Sequence, residues 1–179
     1  ASCCFAGLFS YISTSSLLLQ ETFGLRETEF GVVFAICSIG VFAGVQLGSR
    51  LSAHLGPQKV LIVGTAGMIV AASALLGLDA MRGGHIPLIP AMFAYTLAFG
   101  ACNPAAQVLA LQNHRKDSGV AASLMGALNM TLAAVVGPVI GQFELTSAAP
   151  MAIAMLCCAT AAVVCLWLIA RPRRTEFTL

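Results

Sequence analysis

The side chains with most to offer a small molecule are four amides and two tyrosines set in otherwise apolar runs: Gln46, Asn103, Gln107, Asn129, Tyr11 and Tyr95, with Thr14 beside them in the polar stretch of the first run. Their chemistry is hydrogen bonding, without covalent steps. Tyrosine titrates near 10, too high to carry a proton under ordinary conditions. Seven cysteines, at 3, 4, 37, 102, 157, 158 and 165, all lie in apolar stretches with no CxxC or Cys/His spacing, which reads as small buried hydrophobes. His54, His85 and His114 fall in three separate connecting segments, so no metal site is expected. No phosphate-binding glycine loop, nucleophile elbow or zinc motif occurs, so neither an enzyme nor a bound cofactor is expected. A net charge of +2 is too small to suggest nucleic acid as a partner.

What positions these groups follows from composition. Hydrophobic residues make up 59% of the 179-residue chain and charged residues 9%, against about 25% charged in a soluble domain. No Asp, Glu, Lys or Arg occurs in residues 1–20, 30–49, 60–78, 86–112, 118–143 or 145–170. About 20 apolar residues cross a hydrocarbon core. The spacing therefore predicts an all-α membrane protein whose six spans cover about 1–20, 30–51, 58–78, 86–112, 118–141 and 148–170, with 171–179 as a tail. The lipid bilayer is its first partner. The chain opens at Ala1 within an apolar run that lacks the pattern of a secretion signal, and is expected to be a piece of a longer protein.

The spans differ in polarity. The first, second, fourth and fifth hold amides and hydroxyls. The third holds only Thr65 and Ser73, and the sixth only Thr160, in their interiors. An amide facing lipid has no partner and turns inward or toward water. The order polar, polar, bland, twice over, predicts four helices around a cavity and two that can face lipid. Thr96, Gly100, Asn103 and Gln107 follow at steps of four, three and four, on one helix face. Pro104 bends that helix by removing a donor and pressing on the Gly100 carbonyl. The bend suits a wet cavity, or a packed kink with interhelical hydrogen bonds. Small residues let helices approach where burial gives no drive. Gly40, Gly44 and Gly48 form such a stripe in the second span. Gly119, Ala122, Gly126 and Asn129 form another in the fifth, continued by Ala133, Gly137 and Gly141.

Loops alternate sides. Arg50, Lys59, Arg115, Lys116, Arg171, Arg173 and Arg174, seven of the nine basic residues, share one side, which Lys and Arg mark as cytoplasmic. The C-terminus is expected there. Glu21, Glu27, Glu29, Asp79 and Glu144 lie opposite, as solvated loop charges.

These features resemble one half of a major facilitator superfamily transporter, six helices built as a 3+3 repeat within a twelve-helix whole. The strings FAGLFSYIS, ETEFGVVFA, GVAASLMGAL and ARPRR are similar to the bicyclomycin-resistance (Bcr/CflA) branch of drug/proton antiporters. GSRLSAHLGPQKV resembles the superfamily's cytoplasmic loop motif, with Ala53 and His54 where the motif has Asp and Arg. GPVIG at 137–141 resembles the antiporters' Gly-Pro motif. The resemblance implies a C-terminal half that acts with an N-terminal six-helix half. It implies export of drugs or small amphipathic metabolites from the bacterial cytoplasm across the inner membrane, by alternating access and driven by the proton gradient. The small-molecule substrate would meet Tyr11, Thr14, Gln46, Tyr95, Asn103, Gln107 and Asn129. A transporter for another solute such as a sugar, or a non-transporting membrane scaffold, are the other readings.

The seven-to-two split of basic residues predicts the orientation. A single cysteine at position 82 should react with an impermeant reagent added outside intact cells, and one at 115 should stay silent; the opposite result reverses the topology.

Overall fold

The computed structural model describes residues 1–22, 24–81, 87–111, 118–141 and 148–169. Six α-helices run in order: α1 (Ser2–Leu17, extended by a π-helical turn at Leu18–Thr22), α2 (Glu27–Leu55), α3 (Pro57–Ala80), α4 (Leu88–Leu111), α5 (Ser118–Gly141) and α6 (Ala149–Ile169). Among the described residues there is no strand. Each helix contains a stretch long and apolar enough to cross a membrane. Arg82, Arg115, Lys116, Glu144, Arg171, Arg173, Arg174, His85, His114 and the tail lie outside the described residues.

Local chemistry sets the ends. Glu29 accepts a hydrogen bond from the Arg26 backbone N–H at 3.0 Å, and Glu27 adds a second acid in the first turn of α2, where the helix dipole favours negative charge. α2 runs longer than the expected 30–51 and consumes most of the expected loop: Gly56 alone, at φ 86°, separates it from Pro57 at the start of α3. That left-handed backbone favours glycine, and proline's missing N–H costs nothing at a helix's first position.

The principal packing pairs are α2 with α4, α3 with α4, α3 with α6, α1 with α5 and α1 with α6. Exchanging α1 with α4, α2 with α5 and α3 with α6 maps this set onto itself. The 3+3 repeat is therefore present in the packing as well as in the polarity. α2 lies on α4 through backbone. A Cβ on Gly40 would stand 2.9 Å from Thr96 Oγ1. One on Gly44 would overlap the Leu97 carbonyl oxygen and stand 3.0 Å from Gly100 Cα. One on Gly48 would reach 2.6 Å from Ala101 Cα. Gly100 faces the same contact, 3.1 Å from Gly44 Cα by the same measure. Pro104, inside α4 one turn beyond the contact, cannot donate to the Gly100 carbonyl.

The two bland helices do not face lipid all round. α3 buries Val60, Leu61, Gly64, Thr65, Met68, Ala71, Ala72 and Leu75 and leaves Ile62, Val63 and Val70 outside. α6 buries Met151, Ala152, Met155, Ala159 and Ala162. Each is half inside because α3 and α6 meet across the repeat. Thr65 points into the bundle and satisfies itself on the Leu61 carbonyl at 2.8 Å; Thr160 stays exposed, bonded to Leu156 and Cys157 carbonyls. Asp79 is also more than a solvated loop charge. It is half-buried, and its Oδ1 accepts the Ala148 N–H at 3.0 Å, joining the end of α3 to the start of α6.

The fifth helix turns only part of the expected stripe inward: Asn129 and Ala133 face the bundle, and Gly119, Ala122 and Gly126 do not. Its inward residues are Ala121, Met125, Asn129, Ala133 and Val136, while Gly119, Ala122 and Gly126 are exposed. A Cβ on Gly119 or Gly126 would meet nothing within 4 Å, so these glycines make no close contact inside the chain. The surroundings of Gly137 and Gly141 are outside what is described.

The backbone contact and the Asp79 link predict two effects. Gly44→Val should cost about 1–3 kcal/mol by overpacking, and Gly31→Ala, in open space, should not destabilise. Asp79→Ala should cost about 1 kcal/mol. Thermal unfolding of the detergent-solubilised protein checks all three.

Candidate functional site

The residues expected at a cavity divide into two groups. Tyr11, Thr14 and Tyr95 lie in the core of the six-helix unit, at 3%, 2% and 0% exposure. Tyr11 stacks parallel on Phe34 of α2, with centroids 6.5 Å apart. Tyr95 points from α4 at α1, where Gly7 leaves room for its hydroxyl: a Cβ on Gly7 would overlap it. That hydroxyl has no hydrogen-bond partner. These three side chains hold the helices together and do not face outward.

The four amides behave differently. Gln46 and Gln107 are exposed, and Asn103 and Asn129 are half-buried. Gln107 Nε2 donates to Asn103 Oδ1 at 2.9 Å, one turn back on α4. Each amide of that pair keeps donors or acceptors unused. Gln46 lies on the side of α2 turned away from Gly44 and Gly48, and so from α4. Asn129 lies on the inward face of α5, and its Oδ1 is buried without a partner.

Hydroxyls and amides at exposed positions are not equivalent. Ser38, Ser123, Thr131 and Thr160 each return a hydrogen bond to a carbonyl three or four residues back, between 2.8 and 2.9 Å. Such a side chain tolerates lipid. Gln107 closes on Asn103 of its own helix, but an amide has more donors and acceptors than one such bond satisfies. Gln46 and the Asn103–Gln107 pair therefore suit protein or water beside them better than acyl chains. The geometry brings Asn103 and Gln107 together. It leaves Gln46 and Asn129 on separate helices and places Tyr11, Thr14 and Tyr95 inside the six-helix unit.

Sequence reasoning passed over Ser10 and Ser52, whose buried Oγ atoms have no partner. Ser10 stood in the polar run of the first span; nothing in the sequence separated it from its exposed or self-bonded neighbours. Among the described residues no three His, Cys, Asp or Glu side chains converge to hold a metal ion.

Contact of the amides with water or substrate predicts a labelling pattern in the intact protein. Cysteines placed at 46, 103 and 107 should react with a water-soluble thiol reagent, and one at 95 should not. Reaction at 95 with silence at 103 and 107 would instead make the α4 bend a packed kink.

The profile of the Major Facilitator Superfamily matches residues 1–178. Two curated bacterial proteins are similar. "Uncharacterized MFS-type transporter YdgK" of Bacillus subtilis (strain 168) is 25% identical over 145 residues, covering 81% of this chain and 36% of its own length. "Bicyclomycin resistance protein homolog" of Haemophilus influenzae (strain ATCC 51907 / DSM 11121 / KW20 / Rd) is 25% identical over 168 residues, covering 91% of this chain and 41% of its own. The chain thus spans about two fifths of the length of these relatives. Six membrane-length helices in a 3+3 arrangement fit one half of such a transporter, and with the match over nearly its whole length the chain belongs to the Major Facilitator Superfamily.

Proposed function

We propose that these six helices are the C-terminal half of a proton-coupled exporter of drugs or small amphipathic metabolites, working by alternating access in the bacterial inner membrane with the C-terminus in the cytoplasm. The observation that carries a transport role is the set of amides within the apolar spans: Gln46, exposed on α2, and the Asn103–Gln107 pair on α4, whose mutual bond leaves donors and acceptors unused. An N-terminal six-helix half opposite these faces would give them protein on one side and a wet substrate cavity on the other. The shortness of the chain against both relatives supports such a half. The name of the Haemophilus relative supports a drug as cargo. Export of a different solute shares every one of these features, and cargo assays separate the two.

Coupling to protons needs an ionisable group that reaches the cavity, and no bound cofactor enters this reading. No Asp or Glu lies within the interior of any of the six spans, and Asp79 is engaged at the start of α6. The coupling carboxylate therefore belongs to the other half in this reading, and the proton gradient is the energy source.

Cells producing the full-length protein should exclude bicyclomycin or a small amphipathic dye, and a protonophore should abolish the exclusion. Glu21→Gln and Glu144→Gln should leave proton-driven export within about twofold of the parent, since water solvates charges at helix ends. Loss of coupling with substrate binding retained, in either variant, would route the proton through this half. Export unaffected by the protonophore would remove proton coupling altogether.

A further inference from the structure

Charge is fully segregated along the hairpin of α2 and α3. Between Glu29 and Asp79 the sequence carries Arg50, His54 and Lys59 and no other Asp, Glu, Lys, Arg or His. All three are exposed and flank the single-residue turn at Gly56, while Glu27, Glu29 and Asp79 lie at the opposite end. Residues 30–49 of α2 and 60–78 of α3 hold no charge. At about 1.5 Å per residue each run measures roughly 30 Å, the thickness of a hydrocarbon core. Arg50 and Lys59 each stand where such a run stops, and so reach the phosphate layer of the same leaflet. The acids are about 30 Å away, several Debye lengths, and pair with neither cation. The carbonyl end of α2 and the amide end of α3 also meet at the turn, and their partial charges offset. The side chains alone set the sign there. Below them the surface is apolar: Ile62, Val63 and Val70 are exposed on α3, three, four and eleven residues beyond Lys59 and on its face.

Cations over an apolar strip complement a phosphate over acyl chains. We propose that the Gly56 end of this hairpin is a binding surface for an anionic phospholipid of the phosphatidylglycerol class, with Arg50 and Lys59 taking its phosphodiester and the strip from Ile62 to Val70 taking an acyl chain. Arginine and lysine at a membrane interface attract anionic lipid in this way, and a guanidinium can meet two phosphate oxygens at once. His54 and Gln58, exposed beside the turn, are hydrogen-bonding groups for the hydroxyls of a glycerol head. A zwitterionic lipid offers the same phosphate but adds an ammonium. At this end of the hairpin that ammonium meets two cations and no carboxylate, so the anionic head is preferred. Such binding depends neither on the cargo nor on which leaflet is cytoplasmic.

Phosphatidylglycerol and phosphatidylcholine of matched chains, offered together in equal amounts to the detergent-purified full-length protein, test this by native mass spectrometry. The protein should retain phosphatidylglycerol in preference. Arg50→Gln and Lys59→Gln should each lower that preference about fivefold, the worth of one interfacial cation, and the double variant should lose it. Arg26→Gln, at the acidic end, should leave it unchanged. In the unsubstituted protein, held in nanodiscs of both lipids, phosphatidylglycerol with a photoreactive headgroup should crosslink to peptides from 50–63 ahead of those from 24–31 and 76–81, which needs no variant to fold. The proposal fails if the two lipids bind equally, if the double variant keeps the parent's preference, or if the crosslinks fall at the acidic end. Loss of both lipids alike in the double variant would make the contact a general one to phosphate and overturn the selectivity.

Discussion

Helices α2 and α4 touch through their backbones, and much of the unit is arranged around that contact. Lipid tails are as apolar as leucine, so nothing expels these helices from their solvent. What holds them is dispersion between surfaces that fit. Gly40, Gly44 and Gly48 on one side, and Gly100 with Ala101 on the other, bring main chain against main chain with no room for a Cβ at the centre. α4 is then fixed between α2 and α3, with Cys102 turned to α3 and Gly100 to α2. Pro104 falls one turn past this clamp, inside the helix.

The second repeat solves the same problem with different residues. α5 meets α1 as α2 meets α4, but its inward face carries Ala121, Met125, Asn129 and Ala133 in place of a glycine row. Its glycines at 119 and 126 face outward. An outward glycine face on a membrane helix permits close approach of another helix.

Polar groups in these helices sort by whether they can satisfy themselves. A serine or threonine reaches back to its own helix and is indifferent to its neighbour, as Thr65 inside and Thr160 outside both demonstrate. A phenol cannot, and an amide does so only where a second polar side chain stands one turn away, as Asn103 does for Gln107. Tyr95 and Asn129 keep an unpartnered atom within the bundle, and so, among the serines, do Ser10 and Ser52. Candidate contact groups in this chain are therefore read first from its amides and phenols.

The sequence alone determined that six helices cross a membrane, where most of them begin and end, and that they form a 3+3 repeat. Burial of backbone polar groups in lipid and the hydrocarbon thickness leave no other solution for six such charge-free runs. It also determined the glycine stripe of α2 and the shared face of Asn103 and Gln107, because a helical period is fixed. Which way each face turns was not legible. A period places Gly119, Gly126 and Asn129 on one stripe, but the neighbour that chooses a side is α1, more than a hundred residues away. Only the packed bundle kept Asn129 inward and turned Ala121 and Met125 in where Gly119 and Gly126 were expected. The same holds for Tyr95, which composition marks as polar and the Gly7 notch makes a core residue. Spacing along a chain fixes what shares a face; contact between distant faces is set by how the backbones fit.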